Sequence, residues 1–258
     1  MNKYLAIIDR KTLAQVISCF LVTYFCIEYN FSYNLNVTLF GIAVIFPLVF
    51  TIREAFKRRE HALRFLSLFK ASLIAVYYCI ESCNKLSDDK KAYVSESLEG
   101  ISNQLFEVLK DGEKKDDIAH NCVNDLFNFV QSNSDSIPNR ISLKIVRFLQ
   151  DVHESIEASI SIKTHGTPIS LRAYCLVFVF VFPTVFIPVI VYNLTDTSQW
   201  LIYTLGLIHG FILIALFNVQ ADMEDPYDQV GLDDIKLEEF GFKKFDSAGV
   251  TQLDSQPN

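Results

Sequence analysis

The sequence predicts an all-α membrane protein: four transmembrane helices, arranged as two hairpins, with a helical cytosolic domain inserted between them. Three observations carry that prediction. Half of the 258 residues are hydrophobic, with 22 Phe among them, and the mean hydropathy of +0.24 is high for a chain that is 21% charged. The apolar residues concentrate in four runs free of Asp, Glu, Lys and Arg. Between the second and third runs lies a long stretch whose apolar residues recur at three- and four-residue intervals, the period of a helix with one buried face.

The chain opens with MNKYLAIIDRK, which carries Lys3, Arg10 and Lys11. The run from Thr12 to Ile27 is the shortest candidate span, at about 16 residues. No Ala-x-Ala cleavage site follows it and a second long run does, so it reads as a span and not as a signal-peptide core. EYNFSYNLN, without Lys or Arg, suits an outside loop with Tyr at the interface. The second run, Phe31 to Ile52, is about 20 residues, enough at 1.5 Å per residue to cross ~30 Å of hydrocarbon. Pro47 lies inside it, removing a backbone hydrogen bond and favouring a kink. At Arg53 the same element becomes REAFKRRE, so one helix leaves lipid and enters water. Ile42, Phe46 and Phe50 recur along it at i, i+4 and i+8, on one face.

From Arg53 to about Thr167 no further span occurs. Amphipathic helices are predicted at Ala62 to Asn84, Lys91 to Lys110, Ile118 to Val130 and Arg140 to Ile162, broken at SDDKK, DGEKKDD and SNSDSIPN. The third and fourth spans run from Ala173 to Tyr192, with Pro183 and Pro188, and from Trp200 to Gln220, with His209 near its middle. NLTDTSQ between them again lacks Lys and Arg, and its Asn193-Leu194-Thr195 is formally a glycosylation sequon on the outside. Lys163, His165 and Arg172 precede the third span, and Lys236, Lys243 and Lys244 follow the fourth. All basic clusters therefore fall on one side, which puts both termini in the cytoplasm. The domains read as residues 1–56, an N-terminal hairpin; 57–167, the cytosolic domain; 168–221, the second hairpin; and 222–258, an acidic cytosolic tail. With no cleaved signal or transit segment, a bacterial inner membrane is the simplest location.

Several function classes lose ground on composition. The net charge of −7, with bases placed where topology explains them, argues against nucleic-acid binding. Cys19, Cys26, Cys79, Cys83, Cys122 and Cys175 read as reduced thiols; Cys79 and Cys83, one turn apart, have no second Cys or His pair to complete a metal site. No GxSxG, HExxH or Walker-type sequence marks an enzyme. His209 is an ionisable group inside a span and suggests a proton-coupled carrier, set against a neutral His bonded to a neighbouring helix. Four spans lack the inverted repeats of most transporters. A membrane scaffold is the remaining alternative.

After the last span, QADMEDPYDQVGLDDIKLEEF resembles the bestrophin family, whose members carry an acidic residue, Asn or Asp, Pro, an aromatic and then a short acidic cluster at this place. Glu224-Asp225-Pro226-Tyr227 and Asp233-Asp234-Ile235 match that pattern. PLVFTIREAFKRRE looks like the family's pore-helix exit, and THGTPISLRAY like the motif opening its third span. The sequence departs from the family at Tyr227-Asp228, where Phe-Gly is common, at Ser170, where a second Pro is common, and by about one residue before Asp233.

The resemblance implies a homopentameric, funnel-shaped ion channel in which the second helix lines the axis. Ile42, Phe46 and Phe50 then match its constricted neck, and a small-anion (chloride) pathway follows. Monovalent cations are the alternative, since bacterial relatives include cation channels and an apolar neck carries no charge to set the sign. Ile141, with Ile137 beside it, falls near the family's cytosolic aperture. Asp225, Asp228, Asp233 and Asp234 correspond to a cluster that takes part in calcium binding in animal relatives; the competing reading is a solvated acidic turn in which Asp233 or Asp234 caps a helix. Arg53, Arg58 and Arg59 read chiefly as headgroup anchors and secondarily as a source of positive potential for anions.

Overall fold

The computed structural model describes residues 9–111, 116–195, 197–229 and 234–244. In chain order it contains α1 (Arg10–Glu28), α2 (Thr38–Glu81), α3 (Asp88–Asp111), α4 (Asp116–Ser132), α5 (Asn139–Thr164), α6 (Ile169–Asn193), α7 (Gln199–Asp222) and a short 3-10 turn, Leu237–Glu239. No strand occurs among the described residues. Four of their segments are long and apolar enough to cross a membrane: α1, α2, α7 and a stretch within Asn139–Asn193, where α6 carries the apolar run. The all-α membrane class therefore holds. Two compact units divide the chain, one of Met1–Glu60 with His165–Asp234 and the other of His61–Thr164 with Ile235–Asn258.

In the first unit, α1 begins with a capping box in which Asp9 and Thr12 bond each other's backbone N–H. Its buried residues, Thr12, Gln15, Cys19, Thr23 and Cys26, are small or polar, whereas Leu13, Ile17, Phe20, Leu21, Tyr24 and Phe25 point outward, each at least half exposed. A water-soluble helix would show the reverse. Lipid is as apolar as Leu, so the contact between membrane helices is made by small residues and hydrogen bonds. Asn218 of α7 donates to Thr12 Oγ1 at 2.9 Å, and Gln15 donates to the Val179 carbonyl of α6 at 3.2 Å. Gly206 and Gly210 of α7 allow this approach: a Cβ on Gly206 would come to 3.0 Å from Thr23 Oγ1, and one on Gly210 would overlap Cys19 Sγ.

The second span starts later than its composition suggests. Residues 31–37 are not helical; Asn30 has a positive φ of 50°, and Asn36 Oδ1 accepts the Thr38 N–H at 3.1 Å where α2 begins. The helix then passes through Pro47 and continues without interruption to Glu81, 44 residues in all, or about 65 Å at 1.5 Å per residue. The helix expected to begin at Ala62 is thus its continuation. Val44 and Leu48 pack with Cys175, Val179 and Phe182 of α6 and with Leu213, Ile214 and Phe217 of α7.

The second unit gathers α3, α4 and α5, whose observed ends lie within three residues of those expected from periodicity. Leu98, Ile101, Leu105, Leu126, Ile145, Leu149 and Ile156 are buried in it. Part of the acidic tail belongs to this core. Ile235, Leu237 and Phe242 are buried, the Phe242 N–H donates to Ser102 Oγ at 3.0 Å, its ring lies 5.5 Å from that of Tyr77, and Lys70 Nζ donates to the Glu239 carbonyl at 2.8 Å. The six cysteines are unbridged, and the Cys83 thiol donates to the Cys79 carbonyl at 3.3 Å.

Candidate functional site

At 3.6 residues per turn, the buried residues Val44, Leu48, Thr51 and Ala55 trace one line along α2, and the positions roughly opposite that line are 42, 46, 50 and 53. Ile42, Phe46 and Phe50 stand there at 48%, 54% and 53% exposure. The Phe46 and Phe50 ring centroids are 6.0 Å apart, so the rings form a continuous apolar stripe. Arg53, three residues beyond Phe50, is exposed on the same face. Lys57 continues that side but pairs with Glu54 at 2.8 Å. Glu60 follows about 10 Å beyond Arg53 along the axis.

The bases at the end of the span have different fates. Arg58, read from the sequence as a headgroup anchor, is instead held by Glu224, with Nη1 at 3.4 Å from Oε1. Arg172 of α6 reaches the same oxygen at 3.5 Å. This carboxylate is 10% exposed and accepts three further bonds: from the Thr167 N–H at 2.5 Å, the Thr167 hydroxyl at 2.9 Å and Gln220 Nε2 at 3.0 Å. Gly166 lies so close that a Cβ there would sit 2.9 Å from Glu224 Oε1. One acid thereby fastens α2, the turn before α6, α6 itself and the end of α7. In the sequence Glu224 stands only as the first residue of Glu224-Asp225-Pro226-Tyr227. Its one local signal is the spacing from Gln220 to Glu224, four residues, at which helix geometry brings two polar side chains together.

Three of the four aspartates, Asp225, Asp228 and Asp234, are among the described residues. Asp225 Oδ1 accepts the Tyr227 N–H at 3.1 Å, closing an Asx turn; Asp228 is exposed and Asp234 half-buried. Asp233 lies outside the described residues. Among those described, no group of three or more His, Cys, Asp or Glu could hold a metal ion. Helix capping by Asp234 also fails, because the next helical turn, Leu237–Glu239, has Lys236 at its N-cap.

His209 lies against Phe186 and Phe182, with ring centroids 4.4 and 5.3 Å away. Its Nε2 is buried without a hydrogen bond, so the bond expected to a neighbouring helix is not made there. In the other unit, Ile141 is half-buried in the first turn of α5 and Ile137 is fully buried.

No protein-family model and no curated protein sequence matches the chain. Solved structures do. A point-mutant crystal structure of a bacterial bestrophin homologue from Klebsiella pneumoniae is 14% identical, with a TM-score of 0.78 over 89% of this chain and 94% of that one. A second mutant of that homologue gives 0.79 at 13% identity, covering 89% and 92%. A structure described only as a membrane protein gives 0.75 at 12% identity, covering 89% and 93%. The likeness is one of fold, and this chain has the fold of the bacterial bestrophin homologues.

Proposed function

We propose that five copies of this chain assemble around α2 as an ion channel, with Ile42, Phe46 and Phe50 as three stacked apolar rings at its neck. One observation supports this above the others: the stripe faces away from the seam that α2 buries against α6 and α7, so it is available to an axis outside the subunit. A narrow apolar constriction conducts when wetted and closes by dewetting, without a plug. The first turn of α5, at Ile141, supplies a second constriction on the cytosolic side. The protein resides in a lipid bilayer, with both termini in the cytoplasm of a bacterial inner membrane.

The permeant ions in this reading are small anions such as chloride. Arg53 is the first charge beyond the neck on the lining face, and among the described residues it is in no ion pair, whereas Arg58 and Arg172 share the single Glu224 carboxylate. Five Arg53 side chains around one axis would raise the local anion concentration. Glu60, about 10 Å further along, exceeds a Debye length of ~8 Å in physiological salt, so it offsets Arg53 only weakly. Monovalent cation conduction is the alternative, favoured by the acidic total of the chain.

The test is the reversal potential of the purified protein in a planar bilayer under a KCl gradient. A shift toward the chloride equilibrium potential supports the anion reading, and Arg53→Gln should then move it toward zero, more so at low ionic strength. A shift toward potassium reverses the selectivity and keeps the channel. Absence of current in every condition removes the channel itself.

A further inference from the structure

In the second unit, His120 of α4 and His153 of α5 bring their Nδ1 atoms to 2.9 Å. Their ring centroids are 5.1 Å apart and their planes differ by 9°. A ring nitrogen sits about 1.1 Å from its centroid, so both nitrogens lie nearly on the line between centroids. The imidazoles thus meet edge to edge, almost coplanar, in the geometry of a linear N–H···N hydrogen bond. His120 Nε2 also lies 3.1 Å from Glu157 Oε1.

These contacts fix the tautomers. Glu157 can only accept as a carboxylate, so His120 carries its proton on Nε2 and presents a lone pair at Nδ1. The hydrogen bond between the rings then requires a proton on His153 Nδ1, leaving His153 Nε2 as the remaining basic nitrogen. We propose that this pair is a proton-binding site that latches α4 to α5, closed with no added proton or with one, and opened by a second.

The first added proton takes the lone pair of His153 Nε2. His153 becomes an imidazolium that still donates from Nδ1 to His120, now through a charge-assisted bond. A second proton has only His120 Nδ1 to occupy. Two N–H groups would then face each other across 2.9 Å, on two cations, and the contact cannot survive. Among the described residues, Glu157 on α5 is the charged group set against the pair, favouring its charged form; α3 meets α4 nearby through Gln104, uncharged, which accepts from the Cys122 thiol at 3.1 Å. In keeping with this geometry, burial first and His120 second hold His153 below the ordinary histidine value, with Glu157 opposing. The closed state therefore binds fewer protons than the open one. Its stability is complete above about pH 6.5 and declines as pH falls below that value.

The test uses the full-length protein in detergent, labelled with ¹⁵N-histidine. At about pH 8 the spectrum should show the Nδ1–H tautomer for His153 and the Nε2–H tautomer for His120. Hydrogen exchange of α4 should stay slow near neutrality and, after correction for intrinsic rates, accelerate as the pH falls below about 6.5. In His153→Asn the carboxamide places an N–H where Nδ1 was, and by flipping it offers its oxygen to a protonated His120, so α4 should remain protected throughout. His120→Asn should flatten the response in the same way from the other side. Two histidines that titrate independently near the ordinary value, both as Nε2–H tautomers, would overturn the site. So would equal acid loss of α4 protection in the wild type and both variants.

Discussion

Replacing Glu224 by Gln is the most direct challenge to the idea that one carboxylate organises the cytosolic end of the membrane unit. The substitution keeps size and one acceptor oxygen but removes the charge and points an N–H₂ group toward donors. Arg58 and Arg172 lose their counter-ion unequally. Arg172 is 41% exposed and can turn to water, so its link is worth about 0–1 kcal/mol. Arg58 is 16% exposed and so only partly buried; the ~3–5 kcal/mol for stranding a fully buried charge is an upper bound for it. At least one of the bonds from Thr167 and Gln220 is also lost, at about 1 kcal/mol. Allowing for relaxation, the cost should be about 2–4 kcal/mol. At about 2–4 °C per kcal/mol for a chain of this size, the midpoint of thermal unfolding followed by far-UV circular dichroism in detergent should fall by roughly 4–16 °C. The loss should persist in about 1 M salt, which screens exposed pairs and leaves buried ones largely intact. Arg172→Gln should cost less than Arg58→Gln. A Glu224→Gln protein within about 1 kcal/mol of wild type, or the opposite order of the two arginine variants, would refute the reasoning.

Other outcomes follow from the same structure. Replacing Ile42, Phe46 and Phe50 together by Ala should widen and hydrate the neck, so single-channel conductance should rise several-fold; an unchanged current would count against their lining role. Gly210→Ala sets a methyl group against Cys19 Sγ and should cost about 1–3 kcal/mol by overpacking the contact between α1 and α7, measured as a lower unfolding midpoint. His209→Phe removes a buried nitrogen that has no hydrogen bond and keeps an aromatic ring between Phe182 and Phe186, so stability should hold or rise by about 1 kcal/mol. A large loss there would mean that the imidazole has a polar partner.

The sequence by itself determined the number and order of the spans, because crossing lipid demands about 20 apolar residues without charge and four runs approach that condition. It also determined the helices of the second unit, since periodic burial writes itself into the spacing of Leu, Ile and Val. The face bearing Ile42, Phe46 and Phe50 was legible as a stripe. Tertiary structure alone decided that the stripe points away from the packed seam, because nearly every side of a membrane helix is apolar and composition does not say which side meets protein. It also decided where α2 begins and ends: the Asn residues before Thr38 release the chain from the helix, and nothing after Arg53 stops it. The Glu224 cluster and the His120–His153 contact were invisible to the sequence for one reason. Their partners stand 57 residues away at Thr167, and 33 residues apart in the histidine pair, and no local pattern encodes a hydrogen bond between side chains that only folding brings together.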